Sequence, residues 1–209
     1  MKNLIIIGAG GMGRTIYDMA RENSAYGKEY VIKGFIDDNL NSLNTYDNYP
    51  PVIGTISDYE IQADDIFVCS IGGNSRRQCM ESIISRGGEF YTMIHPTSRI
   101  GTNVHIGQGC YIGAYTIIAA DAYIDDYNFI QSHTIVGHDV TIGKWNRIDS
   151  FVFLVGATRV GENCMIHTRA MINHNVSIGD GAHVGACSFV TRNVEPGTTV
   201  FGNPARRLM

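Results

Sequence analysis

Residues 100–118 read IGTNVHIGQGCYIGAYTII, and an aliphatic residue occupies every sixth position of this segment. The period continues without a slip to Val190, so sixteen consecutive anchor positions beginning at Ile100 are aliphatic. The residue after an anchor is often glycine, and the residue four places after it is small or slim, as at Cys110 and Cys164. An amphipathic helix repeats its apolar positions at three and four residues. A repeat of six is typical of a parallel β-helix.

The repeat also predicts how the coils stack. Three short strands close one triangular coil, so residues eighteen apart should lie above one another at a spacing of roughly 4.8 Å. Sixteen hexads, ending at Glu195, predict a little over five coils. We expect the glycines to turn the corners with positive φ. A β-sandwich with coincidental spacing is the alternative. One predicted ladder of anchors along the axis is Ile100, Ile118, Val136, Leu154, Ile172 and Val190.

The chain before the repeat alternates strands and helices. Leu4–Ile7 predicts a buried strand, GAGGMG at residues 8–13 predicts a turn, and a helical pattern continues to about Asn23. A second strand is predicted at Tyr30–Ile36, followed directly by Asp37 and Asp38. Acidic residues at the tip of the second strand often bind ribose or base groups.

A second strand–helix pair completes this region. We predict a third strand at Ile66–Ser70, a turn through Asn74, a helix over 75–87 and a fourth strand at Phe90–Ile94. The predicted domains are a β-α-β-α-β unit over 1–95 and a solenoid over 96–209.

The glycine motif leaves three interpretations open. Gly8, Gly10 and Gly13 satisfy GxGxxG between a strand and a helix, where the motif is meaningful. NAD binding uses two such halves, and the chain has room for about one. A half-sized unit suits a mononucleotide or a nucleotide-sugar better. The glycines could also serve only to make a tight turn.

Composition narrows the class of protein. The chain has 209 residues, 44% hydrophobic and 17% charged, with a formal net charge of −4. This charge argues against a nucleic-acid or anionic-membrane partner, and no stretch is long enough to span a bilayer. Five cysteines without a CxxC pair indicate reduced thiols and a cytoplasmic protein.

One of the solenoid's histidines differs from the others. His138 is followed directly by Asp139, and a carboxylate partner fixes the tautomer of an imidazole and raises its basicity. The residue stacked one coil above is Gly156, which we expect to leave an open groove over the ring. His174 shares the column two coils away, about 10 Å by the strand spacing. No ligand spacing supports a metal, and none is expected.

These features together resemble a known family. GAGGMG (8–13), FIDD (35–38), IGGN (71–74), the hexapeptide solenoid with its His-Asp pair and GNPAR (202–206) look like the bacterial sugar acyltransferases of the PglD/NeuD type. The resemblance implies an α/β Rossmann-like half-domain followed by an all-β left-handed parallel β-helix. It also implies a homotrimer that binds a nucleotide-sugar in the first domain and acetyl-CoA between neighbouring prisms.

The resemblance further implies residue roles. The family's base matches His138 with Asp139, where the best-known members have the longer glutamate, and an oxyanion-binding N–H matches Gly156. Arg147 stands where some relatives place a second histidine in the CoA pocket. The implied CoA-binding positions are Arg147, Gly156, Thr168 and Ala186. The implied substrate-binding positions are Gly10, Gly11, Met12, Asp37, Asp38 and Gly72.

The sequence thus predicts an acetyl-CoA-dependent acetyltransferase that N-acetylates a nucleotide-linked amino-sugar. The alternatives are an O-acetyltransferase acting on sialic acid or another sugar hydroxyl, and an NAD-binding structural or regulatory trimer without catalysis. The phosphates of CoA need positive charge, for which the candidates are Lys144, Arg147, Arg159, Arg169, Arg192 and Arg206.

Overall fold

Two units make up the computed structural model, which describes residues 1–73 and 75–208. The first unit runs from Met1 to Met93 and the second begins at Ile94. Asn74, placed by the sequence in the turn after the third strand, lies outside the described residues, as does Met209 at the end of the predicted solenoid domain.

The first unit is a parallel sheet with two helices. Its strands follow the order β2-β1-β3-β4, and the apolar run at the start of the chain forms the central strand β1. Leu4, Ile5, Ile6 and Ile7 are completely buried there. The bounds are β1 (Lys2–Ile7), α1 (Gly11–Glu22), β2 (Tyr30–Ile36), β3 (Asp65–Cys69), α2 (Ser75–Ser85) and β4 (Glu89–Phe90).

The prediction of one fourth strand over Phe90–Ile94 is wrong. Glu89–Phe90 pairs with β3, whereas Met93–Ile94 forms a separate strand, β5, that belongs to a sheet of the solenoid. The single apolar run therefore serves two sheets. An apolar run of this length shows that a segment is buried but not which sheet it joins.

The second unit is the predicted left-handed parallel β-helix, with three sheets as its faces. The first face contains β5 (Met93–Ile94), β8 (Tyr111–Ile112), β11 (Phe129–Ile130), β14 (Arg147–Ile148), β17 (Met165–Ile166), β20 (His183–Val184), β22 (Thr199–Phe201) and β23 (Arg206–Arg207). The second contains β6 (Arg99–Ile100), β9 (Ile117–Ile118), β12 (Ile135–Val136), β15 (Phe153–Leu154), β18 (Met171–Ile172) and β21 (Phe189–Val190). The third contains β7 (His105–Ile106), β10 (Tyr123–Ile124), β13 (Thr141–Ile142), β16 (Arg159–Val160) and β19 (Ser177–Ile178).

The stacking of residues eighteen apart is confirmed. Ile118 pairs with Val136, which pairs in turn with Leu154 on the next coil. Every anchor from Ile112 to Val190 is at most 4% exposed, whereas Ile100, on the edge strand of the second face, is 38% exposed. Full burial of each such side chain contributes roughly 1.5–3 kcal/mol, so the aliphatic ladder is the main stabilising feature of this unit.

The expectation that glycines turn the corners with positive φ is confirmed at Gly109 (φ 64°) and Gly181 (φ 67°) but is wrong for most of the corners. Positive φ occurs three residues after every anchor from Ile100 to Val184, mostly at residues other than glycine, such as Asp139 (φ 57°) and Phe151 (φ 62°). The glycines that follow the anchors instead allow close approach of the next coil. A Cβ on Gly101 would lie 2.7 Å from the backbone nitrogen of Ala120, a distance that no side chain tolerates.

A polar ladder also runs inside the solenoid. The side chains of Asn128 and Asn146 are fully buried on adjacent coils. The Asn146 amide donates to the carbonyls of Gly143 and Gly161, and its oxygen accepts from the N–H of Cys164 at 2.7 Å. These bonds satisfy corner backbone groups that the strand ladders leave unpaired, as buried polar groups require.

Candidate functional site

The glycines of the turn at residues 8–13 differ in how much space surrounds them. Gly8 has φ +91°, and a Cβ there would lie 2.6 Å from Ser70 Oγ, while a Cβ on Gly13 would overlap the carbonyl oxygen of Gly8. A Cβ on Gly10 would meet nothing within 4 Å. Gly10 is the N-cap of α1, and no side-chain hydrogen bond caps the helix there. Such a helix N-terminus favours an anionic group.

The two aspartates after β2 have different surroundings. Asp37 accepts hydrogen bonds from the N–H groups of Ala9 at 2.7 Å and Asn39 at 2.8 Å, so it ties the glycine turn to the end of β2. Asp38 is exposed and accepts from the N–H of Ile56 at 3.2 Å. Asp37 is therefore engaged by backbone, and Asp38 presents the more accessible carboxylate.

Asp38 lines a cleft of about 440 Å³ at the carboxyl edge of the first sheet. Gly10, Gly11 and Met12 follow β1, the aspartates follow β2 and Gly72 follows β3, so the structure brings the predicted substrate positions to one edge. Ligands of open parallel sheets bind at this edge. Besides Asp38 and Ile71 of the IGGN motif, the cleft is lined by residues that the sequence did not single out: Ile56, Ser57, Ser75, Gln78, Cys79 and Ser82.

His138 and Asp139 form a pair at the turn from the second face to the third. His138 Nδ1 lies 2.6 Å from Asp139 Oδ2, and the two side chains are 62% and 61% exposed. An ionised Asp139 requires the proton on Nδ1, which leaves the lone pair of Nε2 available as a base. The pair therefore has the arrangement of a general base.

The expectation of an open groove over His138 is wrong. A Cβ on Gly156 would lie 2.5 Å from His138 Nε2, so the imidazole itself fills the space beside Gly156. Within the described residues the N–H of Gly156 donates to no acceptor, while its carbonyl accepts from Asn175. The His138 imidazole and a free backbone donor thus lie side by side.

The estimate of about 10 Å between His138 and His174 is also wrong, because the centroids of the two rings are 6.5 Å apart. The spacing of coils measures backbone separation, whereas the His138 ring leans across Gly156 toward the next coil. No hydrogen bond joins the two rings in the described part of the chain, so His174 is a neighbour of His138 and not its hydrogen-bond partner.

The predicted CoA-binding positions lie on two edges of the solenoid. Gly156 is with His138 on the edge between the second and third faces, whereas Thr168 and Ala186 follow β17 and β20 on the edge between the first and second faces. Arg147 is on β14 of the first face. A single chain does not bring these two groups of residues together.

Sequence reasoning missed a polar cluster around Asp149, which lies just after β14. Asp149 accepts from Arg147 Nε at 2.7 Å and from Gln131 Nε2 at 3.1 Å, and its second oxygen lies 3.0 Å from His167 Nδ1. Gln131, Asp149 and His167 are eighteen residues apart, so the period itself places them in one column. We call these four residues the Asp149 cluster.

No group of three or more His, Cys, Asp or Glu residues that could hold a metal occurs among residues 1–73 and 75–208. Within the same ranges no helix is both long and apolar enough to cross a membrane.

Three family profiles match successive parts of the chain. The PglD N-terminal domain matches residues 3–83, the GMPPB C-terminal domain matches 89–160 and the six-repeat bacterial transferase hexapeptide family matches 157–192. Together they follow the predicted order of a Rossmann-like unit and a hexapeptide solenoid.

Solved structures are similar to the chain over its whole length, and a curated protein is similar over part of it. The acetyltransferase domain of PglB from Neisseria gonorrhoeae is 28% identical, with a TM-score of 0.88 and complete coverage of both chains, and it has also been solved with acetyl coenzyme A. PerB from Caulobacter crescentus, solved with CoA and GDP-perosamine, shares the fold at 24% identity, with a TM-score of 0.88 over 100% of this chain and 98% of PerB. UDP-N-acetylbacillosamine N-acetyltransferase of Bacillus subtilis is 29% identical over 54% of this chain and 52% of its own length. The curated relatives are matched over only part of their own length, which is 24% for uncharacterized protein L142 of Acanthamoeba polyphaga mimivirus and 52% for the Bacillus subtilis protein.

Proposed function

We propose that this chain, a member of the PglD/NeuD type of hexapeptide-repeat sugar acyltransferases, transfers the acetyl group of acetyl-CoA to the amino group of a nucleotide-linked amino-sugar. The observation that supports this most directly is the His138–Asp139 pair beside the free N–H of Gly156. That combination supplies the base and the oxyanion donor that an acyl transfer needs.

The mechanism follows from these groups. The neutral amine attacks the thioester carbonyl, and His138 Nε2 removes the proton that the nitrogen loses as the C–N bond forms. The N–H of Gly156 stabilises the oxyanion. The C–S bond then breaks, and the CoA sulfur takes a proton from the imidazolium. Asp139 holds the ring by Nδ1 and stabilises its cationic form. The products are the amide and free CoA.

The first unit supplies the acceptor site. The open N-terminus of α1 at Gly10, Gly11 and Met12 binds the diphosphate of the nucleotide-sugar. Asp38 accepts a hydrogen bond from a ribose hydroxyl or a base N–H in the cleft. Gly72, in the loop between β3 and α2, lies at the same edge of the sheet. PerB, which shares this fold, has been solved with GDP-perosamine bound.

A homotrimer completes the active site. His138 and Gly156 lie on one edge of the prism, and Arg147, Thr168 and Ala186 lie on or beside another. In a threefold assembly each cleft has one edge from each of two copies, so acetyl-CoA contacts both groups. Separation of the two groups within one chain is what supports this assembly. The enzyme acts in the cytoplasm, where its reduced cysteines and acetyl-CoA occur together.

An acceptor panel tests the function. UDP-, GDP- and dTDP-linked 4-amino-sugars, free sialic acid and NAD are each incubated with protein and acetyl-CoA, and released thiol and acetylated product are measured. We expect product from an amino-sugar nucleotide alone. Acetylation of sialic acid instead would favour an O-acetyltransferase, and thermal stabilisation by NAD without any product would favour a non-catalytic trimer.

A further inference from the structure

Two cysteines of the first unit lie at the carboxyl edge of its sheet, beside the cleft. Cys69 is the last residue of β3 and is 3% exposed. Cys79 lies on α2, three residues after Arg76 and four before Ile83, both of which are buried, so it is on the side of the helix that faces the sheet. The Cys79 thiol donates a hydrogen bond to the Cys69 sulfur, which places the two sulfur atoms in direct contact. The proposed acyl transfer uses neither thiol.

The surroundings of Cys69 favour its thiolate form. The pKa of Cys69 is lowered chiefly by the hydrogen bond from Cys79, which outweighs the effect of burial. The positive charge of Arg76, which is 6% exposed, and the N–H of Ile71 lower this pKa further. The same hydrogen bond, burial and the negative charges of Cys69 and Asp38 raise the pKa of Cys79. Because the thiolate is the reactive form of cysteine, Cys69 is the nucleophile of the pair.

The cleft gives solvent access to this pair. Cys79 is half-buried and lines the cleft of about 440 Å³ together with Asp38. Cys69 lies behind Cys79, at the end of the strand that the helix covers. A small oxidant such as hydrogen peroxide can therefore approach the two sulfur atoms from the cleft.

We propose that Cys69 and Cys79 form a redox-active dithiol site, which hydrogen peroxide converts into a disulfide that weakens nucleotide binding in the cleft. The Cys69 thiolate attacks one peroxide oxygen, the O–O bond breaks, and the hydroxide that leaves takes a proton to form water. Cys69 is then a sulfenic acid, and its negative charge no longer raises the pKa of Cys79. The Cys79 sulfur loses its proton and attacks the Cys69 sulfur, the S–O bond breaks, and a second water leaves. The two thiols are oxidised by two electrons, and peroxide is reduced to two molecules of water.

The disulfide acts on the cleft through α2. An S–S bond is about 2.0 Å long, which is shorter than any hydrogen-bonded contact between two sulfur atoms, so its formation draws α2 toward the end of β3. The shift changes the shape of the cleft next to Asp38, because one side of the cleft is formed by α2. This consequence rests on the proposed function, which takes the cleft as the site of the nucleotide. The residues of α2 that line the cleft are Ser75, Gln78, Cys79 and Ser82.

Peptide mapping of the full chain tests the dithiol site. Trypsin cuts after Arg76 and Arg77, so Cys69 and Cys79 fall on different peptides that only a disulfide can join. The protein is treated with peroxide, its remaining thiols are blocked with N-ethylmaleimide, and the digest is analysed by mass spectrometry with and without dithiothreitol. We expect joined peptides that dithiothreitol separates. The absence of joined peptides from the parent protein would overturn the site.

Two variants separate the steps of the reaction. Cys79→Ser should stop at the sulfenic acid of Cys69, which dimedone labels, and a lack of label there would show that Cys69 is not the nucleophile and overturn the proposal. Cys187→Ser is the matched control, because it removes the exposed thiol of the second unit. It should form the Cys69–Cys79 disulfide as the parent does.

Calorimetric titration with UDP, GDP and dTDP measures the effect on the cleft, and Cys187→Ser serves as the parent so that its exposed thiol does not react. We expect oxidation to raise the Kd of the nucleotide that binds by about tenfold, the equivalent of one lost hydrogen bond, and dithiothreitol to restore it. Cys79→Ser/Cys187→Ser should keep its Kd after the same treatment, since no disulfide moves α2. An unchanged Kd in the disulfide form would overturn the effect on the cleft. If none of the three nucleotides binds the reduced protein, the acceptor site of the proposed function is refuted together with this effect, and the peptide map alone decides the dithiol site.

Discussion

Replacing His138 with alanine should remove catalysis and leave the fold intact. The side chain is 62% exposed and stands outside the aliphatic ladder, so the melting temperature should change little. Loss of a general base typically lowers the rate by about 10²–10⁴, which corresponds to roughly 2.7–5.5 kcal/mol in activation free energy. Steady-state kcat, measured by thiol release with saturating acetyl-CoA, should fall by this factor.

Gly156→Ala provides a matched test of the same geometry without removing the base. The new Cβ would lie 2.5 Å from His138 Nε2, about 0.9 Å short of the 3.4 Å at which ordinary contact begins. The ring must therefore move by about 1 Å, a displacement that can reduce the rate about 10²-fold. Because the methyl group acts through the ring, the double variant His138→Ala/Gly156→Ala should be no slower than His138→Ala alone.

Two further variants should lower kcat less than His138→Ala does. Asp139→Asn weakens the base without deleting it and should give an intermediate kcat. His174→Ala removes a ring that makes no hydrogen bond to His138 in the described residues, and kcat should stay near that of the parent. If His138→Ala keeps more than about a tenth of the parental kcat, well above the range for a lost general base, the assignment of the base is wrong.

Three further predictions concern the acceptor site and stability. Asp38→Ala should raise the KM of the nucleotide-sugar and leave the KM of acetyl-CoA unchanged, and equal changes in both would place the acceptor elsewhere. Asn146→Ala removes the hydrogen-bond partner of the Gly161 carbonyl and of the Cys164 N–H, while the Gly143 carbonyl keeps its bond from Asn128, so chemical denaturation should show a loss of about 2–5 kcal/mol in unfolding free energy. Burial acts to raise the pKa of Asp65, but hydrogen bonds from Gln62, Tyr59 and Lys33 outweigh it and the net pKa is lowered. The stability that Asp65 provides should be present above about pH 4 and be lost as the pH falls further, and Asp65→Asn should flatten that part of the stability curve.

The repeat made much of the fold predictable. An aliphatic residue at every sixth position is a local signal, because each hexad buries its own anchor in the same way whatever the rest of the chain does. The ladders, the inward small positions such as Cys110 and the strand–turn–helix at Gly8–Gly13 followed directly from it or from an equally local motif. His138 was singled out because its carboxylate partner is adjacent in sequence.

Other features depended on how the coils stack in three dimensions. The corners adopt positive φ at residues such as Asp139 and Phe151 because the path of the coil requires it. The residue types at these positions do not predict this conformation. The apolar run at Phe90–Ile94 divides between two sheets, which hydrophobicity alone does not reveal. The lean of His138 over Gly156 and the meeting of Asp149 with His167 arise from side-chain directions across coils. Sequence period determines which residues share a column, but only the packed coils decide which of their polar atoms come within hydrogen-bonding distance.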